Sequence, residues 1–211
     1  MKEIEEFITR YVGEHIYHLS LIRNLDSILK LGLLSRNELG KIGVSFWNIS
    51  NYKVQARREA KKFVLRIKDR DLIVSLHDYV PFYFSPRNPM LYKRREYQDQ
   101  IAIIAVDSSI IGKPGVIFSD GNAASERTRF YQDVGNLSKL QWDIINSKYW
   151  TNFEDGKRIK CAEILVPRKV NVNLIERIFV YSDEARAKVE EIVRSSGQKI
   201  IAEVKRGFYF P

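Results

Sequence analysis

The chain has 211 residues, 45% hydrophobic and 29% charged, a balance that suits one folded domain with a sizeable core. Basic residues number 35 against 26 acidic, and the net charge of +9 favours nucleic acid, anionic lipid or an anionic cofactor as partner. The single cysteine, Cys161, excludes an internal disulfide framework, and three scattered histidines argue against a structural zinc site. No apolar run approaches the roughly 20 residues that a membrane span requires.

The N-terminus, MKEIEEFITRYVGEH, lacks a signal-peptide core, so a cytoplasmic location is expected. Residues 3–14 fit a short amphipathic helix and His15–Leu19 a short strand. Ser20 reads as an N-cap, with Leu21, Ile22, Leu25, Ile28 and Leu29 at helical spacing and Gly32 closing the helix. Asn51–Phe63 predicts a second helix, strongly basic. Strands follow at 78–84, 101–107 and 115–118, and Ser119-Asp120-Gly121-Asn122 is a turn by composition. Residues 125–150 are expected to be mostly helical, with Trp142, Ile145, Tyr149 and Trp150 on a buried face. The remaining expectations are strands at Cys161–Val166, Ile178–Tyr181 and Ile200–Val204, and a helix capped by Asp183 that runs to Arg194. Strands and helices do not alternate strictly. A single mixed α+β domain over 1–211 therefore fits better than a doubly wound parallel sheet.

The charge is unevenly spread. Lys53–Arg70 holds eight basic and two acidic residues, and Lys93, Arg94 and Arg95 form a second cluster. A solvated helix face that aids solubility accounts for such runs. So does nucleic-acid binding, which the interleaved aromatics favour.

Leu76–Tyr92, LHDYVPFYFSPRNPMLY, carries three of the chain's six prolines and five aromatics. Pro81 cannot donate to a ladder, which points to an edge or bulge position, and Pro86 and Pro89 hold the chain extended. The stretch reads either as a core strand followed by a stiff loop or as an aromatic wall able to stack on a base or a nicotinamide ring. The glycine-rich nucleotide signatures GxGxxG and GxxxxGK[ST] are absent.

Glu163 is the sharpest chemical candidate. Within the apolar run CAEILVP its carboxylate is either desolvated, and then needs a partner or a task, or faces outward from a half-exposed strand. A lone glutamate can orient a ribose hydroxyl and stabilise positive charge at an anomeric carbon as an N-glycosidic bond breaks. Arg57 and Arg58 close VQARR, where a guanidinium can bind pyrophosphate or polarise a base carbonyl, or simply charge a helix surface. His18 and His77 suit either ligand contact or structural hydrogen bonding.

In order along the chain, IYHLSLIRNLDSILKLGLL, KVQARR, LHDYVPFYFSPRNPMLY, FSDGNAASERTRFY and CAEILVP together resemble the DarT family of DNA ADP-ribosyltransferase toxins. The resemblance spans roughly residues 16–182. It implies an ADP-ribosyltransferase fold with a split mixed β-sheet core. It also implies NAD+ as co-substrate, no metal, single-stranded DNA as acceptor, and a DarG-like macrodomain antitoxin as partner. Motif matching carries the catalytic roles to Glu163 and Arg58. It carries NAD+ contacts to His18 with Ser20, and to Tyr83, Phe84, Pro86, Met90, Leu91 and Tyr92. The loop that reads the target base corresponds to about Asn136–Lys160. Lys53, Arg57, Arg94, Arg95 and Trp150 are the expected DNA contacts. Residues 35–52, including Phe46, Trp47 and Asn48, depart from the family pattern, and some relatives carry His where Asn122 stands. Thymine is the expected base, with guanine the alternative. Two further readings are an inactive basic single-strand-binding module and an enzyme that modifies protein.

Overall fold

The computed structural model describes residues 2–47, 52–67 and 70–211. Through the first half the chain forms α1 (Lys2–Val12), β1 (His15–Leu21), α2 (Leu25–Leu31), β2 (Leu33–Leu34), α3 (Arg36–Lys41) and α4 (Tyr52–Ala60). It continues with β3 (Lys62–Ile67), β4 (Arg70–Ser75), β5 (Tyr79–Tyr83), α5 (Pro89–Tyr92) and β6 (Ile101–Asp107). The second half adds β7 (Ile117–Ser119), β8 (Phe130–Tyr131), α6 (Trp142–Ile145), α7 (Gly156–Ile159), β9 (Glu163–Pro167) and β10 (Lys169–Val170). It ends with β11 (Ile175–Val180), α8 (Asp183–Ser196) and β12 (Ile201–Val204).

Eight strands form one mixed sheet in the order β12-β11-β6-β1-β5-β9-β7-β8, antiparallel except for β11 against β12. The mixed α+β expectation holds. β6, the IAIIAVD run, shows why a continuous apolar strand belongs at the centre: Ile101–Val106 are all fully buried, so both faces must be covered. Ala102, Ile104 and Val106 join the larger core with helix residues Ile8, Leu25, Leu29 and Val189. Ile101, Ile103 and Ala105 face a second cluster with Leu91, Phe179, Tyr209 and Phe210. The Tyr209 hydroxyl lies 2.9 Å from both the Ile101 and the Phe179 carbonyl oxygens, which satisfies a polar tip inside an apolar layer.

The sheet is split between β1 and β5. These strands share one register pair, Tyr17 opposite Tyr83, whereas β1 pairs with β6 along all seven of its residues, His15–Leu21. Pro81 therefore sits inside the sheet order rather than at its edge, and tolerates that place because it lies at the split. Its carbonyl accepts from His18 Nδ1 at 2.8 Å in place of a ladder bond.

Several expectations need correction. Ser20 is a residue of β1 and caps no helix; a 3-10 turn over Ile22–Asn24 leads into α2. The basic helix stops at Ala60, and Phe63 lies in a hairpin in which β3 pairs with β4 outside the main sheet. Phe63 stacks on Phe130 with ring centres 5.0 Å apart, so tertiary packing overrides the helical reading. Residues 125–150 are not mostly helical. Asp133 accepts from the Gly135 N–H at 2.9 Å and Trp142 Nε1 donates to the Leu137 carbonyl at 2.7 Å, local bonds that divert the backbone from a helix. Of the four residues expected on a buried face there, Ile145 is buried, Trp142 packs against the main core and Trp150 is half-buried against the second cluster, whereas Tyr149 is 57% exposed. Ser182, not Asp183, caps α8, accepting from the Ala185 N–H at 3.3 Å.

Gly32, at the end of α2, has φ +83°, and a Cβ there would meet the Val170 carbonyl oxygen at 2.4 Å. Gly32→Ala is expected to destabilise the fold by about 1–3 kcal/mol, read by denaturant unfolding.

Candidate active site

Glu163 opens β9 directly opposite Tyr83 of β5, at the mouth of the split. It is 1% exposed, which settles its orientation inward. Its Oε2 accepts from Arg58 Nη1 at 2.8 Å, and its Oε1 from the Ala123 backbone N–H at 2.9 Å. Its own N–H donates to Ser119 Oγ at 3.0 Å, and that hydroxyl donates to the Gly121 carbonyl at 2.7 Å.

Arg58 reaches this carboxylate from α4 and is also buried, whereas the preceding Arg57 is exposed. Adjacent helical residues diverge by about 100°, so only one of the pair can face the sheet. Arg58 Nη2 is buried and has no hydrogen-bond partner among the described residues. A desolvated guanidinium with one branch paired and one idle is poised to donate to a ligand.

The pair lies in a cleft of about 1270 Å³. That exceeds the roughly 300–1,000 Å³ of an ordinary small-molecule site, leaving room for a dinucleotide and part of a second substrate. His18, Ser20, Tyr83 and Met90 line it beside Glu163, with Arg57, Lys61, Lys93, Arg94, Arg127 and Lys157 also facing it. Asn24 and Trp47 also line the cleft and share a two-way bond: Asn24 Nδ2 donates to the Trp47 carbonyl at 2.9 Å and its Oδ1 accepts the Trp47 N–H at 3.1 Å.

Burial pushes His18 below its ordinary pKa and outweighs the Pro81 carbonyl bond, which favours the charged form. The ring is therefore neutral. With Nδ1–H donating to Pro81, Nε2 carries the free lone pair. Below the unperturbed value of 6.5 the unfolded chain takes up a proton that folded His18 resists, so stability is lost as pH falls through and below 6.5. His18→Asn should make the loss of melting temperature between pH 6.5 and 5.5 shallower. His77, also lowered chiefly by burial, retains part of the slope.

Tyr83 is held well above the usual phenol range by burial and, secondarily, by the Glu163 charge, so it remains a hydroxyl. Burial likewise pushes the Cys161 thiol up to about 12, which removes it as a nucleophile. Lys160 is buried and donates to the Ile145 carbonyl at 2.6 Å, the Ser147 carbonyl at 2.8 Å and Ser85 Oγ at 3.0 Å. It thereby pins the segment before β9 to the turn that precedes α5, and burial lowers its pKa to about 8.

A family model described as ssDNA thymidine ADP-ribosyltransferase, DarT, matches residues 17–210. The chain belongs to the DarT family. A DNA ADP-ribosyl transferase of Thermus sp. (strain 2.9) is 33% identical over 189 residues, covering 85% of this chain and 87% of that one. A DNA ADP-ribosyl transferase–DNA ADP-ribosyl glycohydrolase fusion of Thermosipho africanus is 28% identical, and the match covers 88% of this chain and 47% of the fusion. The Thermus sp. 2.9 DarT structure with ADP-ribosylated ssDNA superposes with a TM-score of 0.82 at 28% identity, over 93% of this chain and 96% of that one. Its NAD+ complex gives 0.77 at 28% identity, over 93% and 98%.

As a DarT-family member the protein is an NAD-dependent ADP-ribosyltransferase. The residues present fit that co-substrate: an idle buried donor on Arg58, a neutral imidazole and a protonated phenol share one cleft. Among the described residues no group of three or more His, Cys, Asp or Glu could hold a metal ion.

The family assignments distribute unevenly over this geometry. Glu163, Arg58, His18, Ser20, Tyr83, Met90, Arg57 and Arg94 converge on the cleft. Phe84, Pro86 and Leu91 do not line it. They are buried, because strand alternation sends Phe82 and Phe84 into the core when Pro81 and Tyr83 face the cleft, and Leu91 packs against the second cluster. Tyr92, Trp150 and Arg95 also lie off the cleft: Tyr92 packs edge-on against Trp150 and Phe210, and the Arg95 guanidinium sits 4.5 Å from the Tyr92 ring centre. Lys53 falls in α4, but its side chain, like Asn48, lies outside the described residues. From the expected base-reading segment, only Asp155, Lys157 and Arg158 face the cleft. Sequence reading missed Ala123, because a backbone N–H leaves no compositional trace, and read Ser119 only as part of a turn, although its hydroxyl accepts the Glu163 N–H.

Proposed function

We propose that the protein transfers ADP-ribose from NAD+ to thymine in single-stranded DNA. In that reading it acts in the cytoplasm as a toxin whose modification a macrodomain antitoxin reverses. The observation that carries the chemistry is the buried Arg58–Glu163 pair with one guanidinium branch idle. The family description names single-stranded DNA and thymidine. The Thermosipho relative, fused to a DNA ADP-ribosyl glycohydrolase, supports pairing with an antitoxin of that activity.

NAD+ would supply the ADP-ribosyl group and nicotinamide as leaving group. Glu163, fixed at both oxygens, orients a hydroxyl of the nicotinamide ribose and stabilises positive charge at the anomeric carbon as the C–N bond breaks. Arg58 Nη2 donates to a carbonyl oxygen of the incoming base, which acidifies the adjacent ring N–H. The nitrogen bonds to carbon as its proton leaves to water. Nicotinamide and one proton are released. An unpaired base reaches the cleft without the cost of flipping from a duplex. Arg57, Lys93 and Arg94 at the cleft are placed to meet phosphates, so activity should fall steeply with salt.

The test is mass spectrometry of dT, dG, dA and dC oligomers after incubation with NAD+. An ADP-ribose adduct on dT alone is expected. An adduct on dG alone would move the assignment to guanine. Labelled protein with bare DNA would overturn the DNA reading, and no adduct anywhere would favour an inactive binding module.

A further inference from the structure

Glu163 Oε1 is held by a backbone donor, the Ala123 N–H, so its orientation depends on the turn from Ser119 to Ala123. That turn rests on Arg158 of α7. Arg158 Nη1 donates to Asp120 Oδ1 at 2.7 Å and to Thr128 Oγ1 at 3.2 Å, and its Nε donates to Asp155 Oδ2 at 2.6 Å. The Arg158 carbonyl accepts the Asn122 N–H at 2.9 Å, one residue before Ala123. Gly121 lies flat against the guanidinium: a Cβ there would meet Arg158 Nη1 at 2.3 Å. The side chain is largely buried, 14% exposed, and both acids are bound at hydrogen-bonding distance. This is a braced turn with its open end aimed at the carboxylate.

We propose that Arg158 is a positioning residue for Glu163, acting through the 119–123 turn. By bridging Asp120 and Asp155 it fixes the direction of the Ala123 N–H, which holds Oε1 while Arg58 holds Oε2. The carboxylate then meets the ribose in one orientation. The planar guanidinium is required because it bonds two acids from separate edges while lying flush on Gly121; a lysine ammonium can do only one of these. The SDG sequence thereby acquires a reason: Asp120 supplies the acceptor and Gly121 the clearance. The proposal rests on the reading of Glu163 as the catalytic carboxylate.

The test compares Arg158→Lys and Asp120→Asn with wild type, in nicotinamide release from NAD+ and in oligonucleotide labelling. Arg158→Lys should lower kcat for nicotinamide release by roughly 10- to 100-fold, as small misplacements at a reacting centre do. Asp120→Asn should lower it less, and KM for NAD+ should stay within about threefold in both. In a Glu163→Asp background, whose shorter carboxylate no longer reaches the Ala123 N–H, Arg158→Lys should cost less than about threefold more. An unchanged kcat, a rise in KM alone, or a full multiplicative loss in the Glu163→Asp background would each overturn the proposal. If the wild type releases nicotinamide but labels no oligonucleotide, the DNA reading fails while this one is still decided by the kcat comparison.

Discussion

Glu163→Gln is expected to lower kcat for NAD+-dependent modification by roughly 10²- to 10³-fold, the usual cost of removing one preorganised electrostatic group. Gln keeps the volume, and its oxygen still accepts from Arg58 or the Ala123 N–H, so the cleft should keep its shape. Only the charge is lost, and charge matters most where it develops in the transition state, so KM for NAD+ should change little. The same substitution leaves the Arg58 guanidinium buried without a counter-charge. Breaking a buried pair outright costs about 3–5 kcal/mol, and the retained acceptor places this variant toward the lower end. Single-turnover kinetics and denaturant unfolding separate the two effects. A Gln variant that turns over within tenfold of wild type would remove the carboxylate from the mechanism.

Arg58→Ala is expected to separate the two half-tasks of the reaction. If the idle Nη2 acidifies the acceptor base, transfer to DNA should fall by roughly 10²- to 10⁴-fold, the range for a positioned proton-transfer helper. Release of nicotinamide to water should fall less, because water needs no such help from Nη2. Arg58→Lys keeps the charge that balances Glu163 but lacks the second branch, so it should rescue stability more than transfer. The measurement is the ratio of labelled oligonucleotide to free nicotinamide. Equal losses in both would mean that Arg58 serves only as the counter-charge of Glu163.

Much of the fold was legible because it follows local pattern. The IAIIAVD run gave β6 to the residue, and Glu163 was visible as a carboxylate in an apolar strand. The segment 125–150 was misread because Trp142 and Ile145 have helical spacing, whereas Asp133 and Gly135 compete for the backbone. The β3–β4 hairpin was missed because its basic residues continue the charge of α4, and its partner Phe130 is remote in sequence. Along Leu76–Tyr92 both readings applied at once: alternate residues serve the cleft and the core. What sequence could not supply were contacts between distant segments, among them the Ala123 N–H on Glu163 and Arg158 on Asp120.

The unpartnered Nη2 of Arg58 also bears on the stability of the fold. Among the described residues this buried donor has no partner, and an unmatched buried donor costs a folded chain on the order of 1–3 kcal/mol, which a polar neighbour supplied by mutation would relieve. On the proposed mechanism that cost falls on the group that meets the acceptor base. Selection for a more stable fold and selection for activity pull this position in opposite directions. A variant that relieves that cost from within the chain should be hardier and, by filling the place meant for a ligand, slower.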